Sequence, residues 1–282
     1  MPRSPPPAVA QLRLVRYLSM RYVKHKRQKF GECTICRQHR ELTWDHIPPK
    51  VAGNVNPMVL VSALTALSGT PQEDRHALSQ NGYKIRSICK VCNETIGREY
   101  DPVIGSLCGA INRYLASPLT LPAGATFDTI PARLLRGLLA HILAAKLSPT
   151  PGILDQHIRD YLADHTSSLH PDWHLYYWLY PYPSISVFRD FATMLPTPSG
   201  RGVAFCSVMK FPPLAMLLTD AKHFHDQPDL TTLSHFAIDD PGRIHLRFSH
   251  VHPAEWPEGT QYSGFIVSGQ STAQSLHGTP EA

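Results

Sequence analysis

Long apolar runs are missing from this chain: nowhere in its 282 residues does an uninterrupted hydrophobic stretch approach the ~20 residues that a membrane-spanning helix requires. The opening MPRSPPPAVAQLRLVRYL has no long apolar stretch of the kind a secretory leader needs, and arginines interrupt what apolar character it has. A cytoplasmic protein with no membrane contact is therefore expected. Acidic residues are missing from the first thirty positions, where Arg3, Arg13, Arg16, Arg21, Lys24, Lys26, Arg27 and Lys29 all precede Glu32, the first acid. The rest of the chain is nearly balanced, so a formal charge of +5 conceals a basic arm, residues 1–30. Such an arm suits phosphate contact, since lysine and arginine displace counterions from a nucleic-acid backbone, and it equally suits a solvated amphipathic helix. General disorder is excluded by 43% hydrophobic residues, and at about 150 residues per domain the length predicts two domains.

Six cysteines are too few and too unevenly placed for a disulfide framework in a chain of this size. Four of them form two CxxC pairs, Cys33-Thr34-Ile35-Cys36 and Cys89-Lys90-Val91-Cys92, leaving Cys108 and Cys206 as expected buried thiols. Two such pairs suit a structural zinc ion held by four thiolates in a tetrahedron. Between them lies Asp45-His46-Ile47-Pro48-Pro49-Lys50, and Asn93 follows Cys92 directly. An acid-histidine step and an asparagine beside the zinc pair suit a second, harder cation with oxygen ligands.

The alternation in Glu41-Leu42-Thr43-Trp44 predicts a strand that delivers Asp45 and His46 to its end, where Pro48-Pro49 stops it. Tyr83-Lys84-Ile85-Arg86-Ser87-Ile88, after an Asn81-Gly82 turn, predicts a second strand running into Cys89, able to pair with the first as a hairpin across an insertion at 51–80. Within the insertion, Pro57 to Leu64 reads as a helical run, followed by a polar loop through Pro71-Gln72-Glu73-Asp74. Helix is expected from Glu94 to Leu115 with a break or fresh first turn at Pro102, then over 131–145 and 152–162. From Trp173 the aromatic and β-branched runs predict strands in a mainly antiparallel sheet, including one at Phe236-Ala237-Ile238 turning at Asp240-Pro241-Gly242-Arg243 into another at 244–248. Beyond Gly269 a frayed tail, 271–282, is expected.

A zinc pair opening a helix, separated from its partner by a hairpin, is a treble-clef arrangement. CTIC, LTWDHIPPK and ICKVCNETIGREYD in this order resemble the cysteine-containing branch of the HNH endonucleases, the ββα-metal nucleases, over about residues 31–105. The resemblance implies a zinc-bound ββα-metal domain, placed over 31–117, and the residue patterns beyond it add a helical segment and a mainly antiparallel sheet domain over 118–270, an α+β chain in all. It implies hydrolysis of DNA, in preference to RNA, with His46 as general base and Mg²⁺ or another divalent cation on Asp45 and Asn93. Bacterial defence or mobile-element biology, and a homodimer or protein partner engaged through the C-terminal domain, follow by analogy.

Ile96 stands where many relatives carry a lysine, so Arg98 and Lys50 become the candidates for phosphate contact. The middle asparagine that tethers the loop in relatives has Asn81 as its nearest counterpart, with Lys84 in the more usual place. Asp101 can orient His46 or Arg98 if the helix is unbroken, or can be a surface carboxylate. The histidine pairs His223/His225 and His250/His252, and the aromatic cluster Tyr176, Tyr177, Trp178, Tyr180 and Tyr182, read as structural. A treble-clef module that keeps zinc and binds nucleic acid or protein without chemistry is the alternative to an enzyme.

Overall fold

The computed structural model of the chain describes residues 26–68, 76–148, 150–152, 154–197, 200–259, 265–266 and 274–281. Most of the basic arm and the polar loop at 71–74 lie outside them. Two short strands open the described chain, β1 (Phe30–Glu32) and β2 (His39–His46), followed by β3 (Met58–Ser62), helix α1 (Ala63–Ser68), β4 (Ala77–Ser79) and β5 (Lys84–Cys89). Helices α2 (Lys90–Glu99) and α3 (Asp101–Leu115) lead to β6 (Gly124–Thr129), α4 (Pro131–Ala144) and α5 (Asp155–Ala163). The remainder is β: β7 (His174–Leu179), β8 (Ile185–Thr197), β9 (Gly200–Phe211), β10 (Leu214–Thr219), β11 (Gly242–Arg247), β12 (Phe265–Ile266) and β13 (Leu276–Pro280).

The result is an α+β protein with a large antiparallel sheet. β1, β2 and β5 form one small sheet, β6 and β11 another, and the large sheet runs β4-β3-β13-β8-β9-β10-β7, with β12 on β8. The expected hairpin between β2 and β5 forms, in antiparallel register. The insertion departs from expectation. Residues 58–62 are a strand because Met58 and Leu60 alternate inward with Val59 and Val61, and helix begins only at Ala63. This strand and β4 join the large sheet of the C-terminal half, so the expected boundary near 117 does not separate the sheets. Nor does 276–280 fray: β13 lies between β3 and β8, pairing with both. Residues 236–238 are not a strand, and β11 pairs with β6 instead, which brings the end of α3 and the start of α4 under one two-stranded cover.

Every residue of α4 except Arg133 is buried, as suits a helix apolar on nearly all sides. It packs against α2, α3 and α5 on one side and against strands of the small and large sheets on the other. Gly137 makes the α3 crossing possible, since a Cβ there would stand 2.8 Å from the Tyr100 Cβ. One turn later on the same face α4 carries His141 into the interior. The large sheet is covered on both faces, and its side chains sort by alternation. Leu175, Tyr177, Leu179, Met209 and Met216 join the core around α4, whereas Tyr176, Trp178, Tyr180, Val208 and Leu217 join a second, aromatic core with Phe224 and Trp256. The tyrosines and tryptophan of β7 are thus core residues of two opposite faces. Among the described residues no helix is long and apolar enough to cross a membrane.

Candidate metal centre and the histidine beside it

Each CxxC pair is held where a turn meets a regular element. Cys33 precedes a tight turn in which its carbonyl accepts from the Arg37 N–H at 3.0 Å, with Arg37 in the left-handed region at φ 64°. Cys89 ends β5 and is the N-cap of α2, which puts Cys92 on the first helical turn. The Cys89 N–H donates to the Cys33 Sγ at 3.3 Å, joining the two pairs. All four Sγ atoms lie within 4.8 Å of one another, the only such group of histidine, cysteine or acidic ligands among the described residues. A tetrahedron with Zn–S bonds of ~2.3 Å has edges of about 3.8 Å. The Cys36 and Cys89 sulfurs are 3.8 Å apart. The donor set and spacing therefore fit a zinc ion.

Crowding four thiols splits their acidities: the hydrogen bond from Cys92 lowers Cys33 to about 5, and the same bond drives Cys92 upward. Such a cluster cannot carry four negative charges without a cation to balance them. Cys108 and Cys206 are buried thiols elsewhere, each pushed up to about 12 by burial.

The register of the hairpin then sorts the acid-histidine step. Trp44 faces Arg86, Asp45 faces Ile85, and His46 faces Lys84 across the ladder. Asp45 and Ile85 point inward and are buried, while Trp44, His46, Lys84 and Arg86 share the outward face. Helix α2 is bound to the same strand through Asn93, whose Nδ2 donates to the Trp44 carbonyl at 2.8 Å and to the Thr43 hydroxyl at 3.1 Å. A carbonyl oxygen only accepts, so the amide orientation is fixed and the Asn93 Oδ1 is turned away from the strand.

His46 is half-buried, with its Nε2 2.8 Å from the Asn81 carbonyl. The partner can only accept, so Nε2 carries the proton and Nδ1 holds the lone pair. Burial, opposed by the Asn81 carbonyl and aided by the Lys50 and Lys84 charges, holds the imidazole below its ordinary 6.5. It is accordingly neutral at pH 7.

The loop between His46 and β5 is tied down by a residue that sequence reasoning missed. Asn54, buried, donates to the Pro48 and Tyr83 carbonyls, each at 2.7 Å, and accepts from the Tyr83 N–H at 2.6 Å. Asn81, the expected tether, acts through its backbone carbonyl instead. Gly82 is obligatory beside it: at φ 72°, any Cβ would lie 2.3 Å from the Asn54 carbonyl oxygen. The pairing of a turn-forming Asn-Gly with a buried asparagine thirty residues earlier has no signature in local pattern.

His141 is the second residue that the sequence did not announce. It is fully buried between two carboxylates, with Nε2 2.9 Å from Asp101 Oδ1 and Nδ1 3.4 Å from Asp45 Oδ2. Burial alone would lower its pKa, but Asp45 and Asp101 outweigh that and raise it to about 10, so it is an imidazolium. Neither Asp45 Oδ2 nor His141 Nδ1 makes a hydrogen bond of good geometry, although both are sealed from solvent. Asp101 reaches this place because α2 stops at Glu99 and Pro102 begins a new helix, so it serves His141 and neither His46 nor Arg98.

Lys50 is exposed in a short 3-10 turn, close enough to depress His46. Arg98 is paired with Glu99 at 2.9 Å and sits five residues beyond Asn93, about 140° round the helix. It is not brought to the histidine. His225, His250 and His252 border a separate cavity of about 370 Å³ together with Trp178 and Arg247, and their ring nitrogens do not converge as metal ligands. No protein-family model matches the chain, and no curated protein and no solved structure is similar to it.

Proposed function

We propose that the chain is a metal-dependent endonuclease of the HNH kind, with residues 31–117 as a zinc-stapled ββα-metal unit that hydrolyses DNA phosphodiesters. The observation that carries this reading is the state of His46: a neutral imidazole on a strand end, its Nε2–H committed to the Asn81 carbonyl, its Nδ1 free to take a proton. That is what a general base needs when water attacks phosphorus near pH 7. The tether through Asn54 supports it by fixing the loop from which the imidazole projects.

Asp45 and Asn93 are the residues that would hold a divalent cation, Mg²⁺ by its preference for oxygen ligands. The fit rests on two oxygens: Asp45 Oδ2, buried without a hydrogen bond, and Asn93 Oδ1, turned away from the strand by the bonds that its nitrogen makes. When bound, the cation would stabilise the charge that develops on the leaving oxygen. The protein's own part is positioning: His141 Nδ1 faces the same Asp45 Oδ2 at 3.4 Å and orients that carboxylate, and the four-cysteine cluster would fix the N-terminal turn of α2 from which Asn93 projects. Lys50 and Lys84 add positive charge beside His46, where a phosphate would lie.

Plasmid cleavage tests the reading. His46→Ala should lower nicking of supercoiled DNA in Mg²⁺ by about 10²–10⁴-fold, the usual worth of a positioned acid-base group, with zinc content and thermal stability unchanged. Undiminished cleavage by that variant sinks the mechanism.

A second reading draws on one observation. Asp45 is buried and already opposite a charged imidazole, as in a module that keeps zinc and performs no chemistry. Absence of cleavage by wild type in Mg²⁺, Mn²⁺ and Ni²⁺ favours that treble-clef binding module.

A further inference from the structure

The cavity of about 370 Å³ beside β7 lies between the loop at 224–229 and the end of β11 with the loop that follows it. Its first wall is a tight turn. The Gln227 N–H donates to the Phe224 carbonyl at 2.8 Å, and both residues between them are left-handed, His225 at φ 46° and Asp226 at φ 56°. Turns with positive φ at both central positions ordinarily take asparagine and glycine there, since other side chains are strained. Strain of this kind gathers at ligand clamps. The turn is tied to the sheet edge: the Tyr177 N–H donates to the Pro228 carbonyl at 3.1 Å, and the Asp229 carboxylate accepts from the Leu175 N–H at 3.1 Å and holds His174 Nδ1 at 2.7 Å.

Arg247, His250 and His252 border the cavity from the other side. The His252 ring is stacked on Trp256, centres 3.6 Å apart and 7° from parallel, and its Nε2 lies 3.0 Å from Gln227 Nε2. That amide nitrogen also donates to the His225 carbonyl at 3.2 Å, so it is the donor, His252 Nε2 accepts, and the His252 proton sits on Nδ1. Among the described residues this Nδ1–H has no acceptor, the ring nitrogens of His225 and His250 have no hydrogen bond, and the Arg247 guanidinium has no carboxylate. Arg243, on the same outward face of β11, is by contrast paired with Asp128 at 2.9 Å.

Burial, with the charges that His250 and His225 would carry, holds His252 down to about 4, and burial holds His225 below its ordinary value against the pull of Asp226. At pH 7 these two rings are neutral N–H donors. The cavity is therefore bordered by one fixed positive charge and three imidazoles, against a single acid, Asp226. Arginine surrounded by N–H donors matches an oxyanion, and a phosphate accepts on several oxygens at once. The volume is more than a phosphate ion fills and lies at the lower end of the roughly 300–1,000 Å³ of small-molecule sites. A nucleic-acid backbone needs an extended groove instead.

We propose that this cavity binds a small phosphomonoester, its phosphate on Arg247 and the imidazoles of His225, His250 and His252, and the rest of the molecule against the turn at 224–227. The site is separate from the four-cysteine cluster and does not depend on the reading of His46.

Calorimetric titration of the zinc-loaded full chain tests it, with adenosine 5′-monophosphate and glucose 6-phosphate as probes beside adenosine, glucose and inorganic phosphate. At least one phosphorylated probe should bind more tightly than both its unphosphorylated counterpart and inorganic phosphate. Arg247→Ala should weaken that binding about tenfold or more. Asp226→Asn should tighten it by removing the acid from the rim. Both side chains are exposed, so both variants should melt with the wild type. Phosphate-independent binding, no binding of either probe, or equal affinity with and without Arg247 overturns the proposal. So does a 20-base-pair duplex that binds through Arg247 more tightly than either probe, which would give this surface to nucleic acid.

Discussion

Helix α4 and the turn beyond it feed two buried charge networks that differ in how completely they are satisfied. At Lys146, Asp155, Arg189 and Asp190 the Asp155 carboxylate is saturated. Asp155 receives Lys146 at 2.7 Å, Arg189 at 2.9 Å and the Gly152 N–H at 2.8 Å, while Lys146 also reaches Asp190 at 2.7 Å. Arg159 extends this network to the four-cysteine cluster by donating to the Thr34 carbonyl at 2.9 Å. At His141 the pairing is slack, with 3.4 Å to Asp45 and an orphaned oxygen on that carboxylate. A closed network stabilises one packing of α4, α5 and β8. The open one leaves Asp45 Oδ2 facing the His141 ring with no hydrogen bond, the arrangement on which the proposed function draws.

Breaking the closed network should have the largest effect. Asp155→Ala leaves Lys146 and Arg189 sharing a single remaining carboxylate, Asp190, and removes the one that faces Arg159, and should cost about 3–5 kcal/mol of stability, measured by urea unfolding of zinc-loaded protein. Remaining folded protein should cleave at the wild-type rate; a stable but inactive variant would erase the distinction between the networks.

The open network should behave the other way. His141→Gln keeps one donor and should lower the cleavage rate about 10–100-fold while the fold persists. A second readout belongs to the imidazolium itself. Native His141 keeps its proton to about 10, whereas in the unfolded chain it titrates near the ordinary 6.5. Folding therefore takes up a proton between those values, and the stability from this pair, full below 6.5, falls as pH rises through about 10. His141→Gln should flatten that slope; an unchanged slope would mean that the imidazole is not the buried cation.

The smallest effect is on the pH profile of cleavage. His46 must be neutral to accept a proton and sits below its ordinary value, so the acid limb of the rate should lie below that of an ordinary imidazole and fall about tenfold per unit further into acid. Lys84→Ala removes one of the charges that depress it and should shift that limb upward. A limb already descending above pH 7 in wild type would contradict the assignment.

Much of the four-cysteine cluster and its flanks was legible because it depends on local spacing. CxxC places two sulfurs on one turn, Asn81-Gly82 makes a reversal, and the alternation in 41–46 and 83–88 reports two half-buried strands. The insertion misled because 57–64 is a short apolar run with no polar marker of period, and its pairing with β4 and β13 makes 58–62 a strand. The same pairing rescues 276–280 from fraying, an effect of some two hundred intervening residues. Asn54 and His141 escaped notice for the same reason. Each is one polar residue in an unremarkable segment whose role is created by partners far along the chain.

The sequence by itself determined the four cysteines of the cluster, the order of the hairpin and following helix, and the identity of the acid-histidine step, because these follow from chemistry and periodicity within a few turns of chain. The tertiary structure alone decided that Asp45 turns inward to His141 while His46 turns outward with Trp44, that Asn54 holds the loop, and that α4 lies behind the site. Register and packing between distant elements select which face each side chain takes, and no local pattern encodes a partner a hundred residues away.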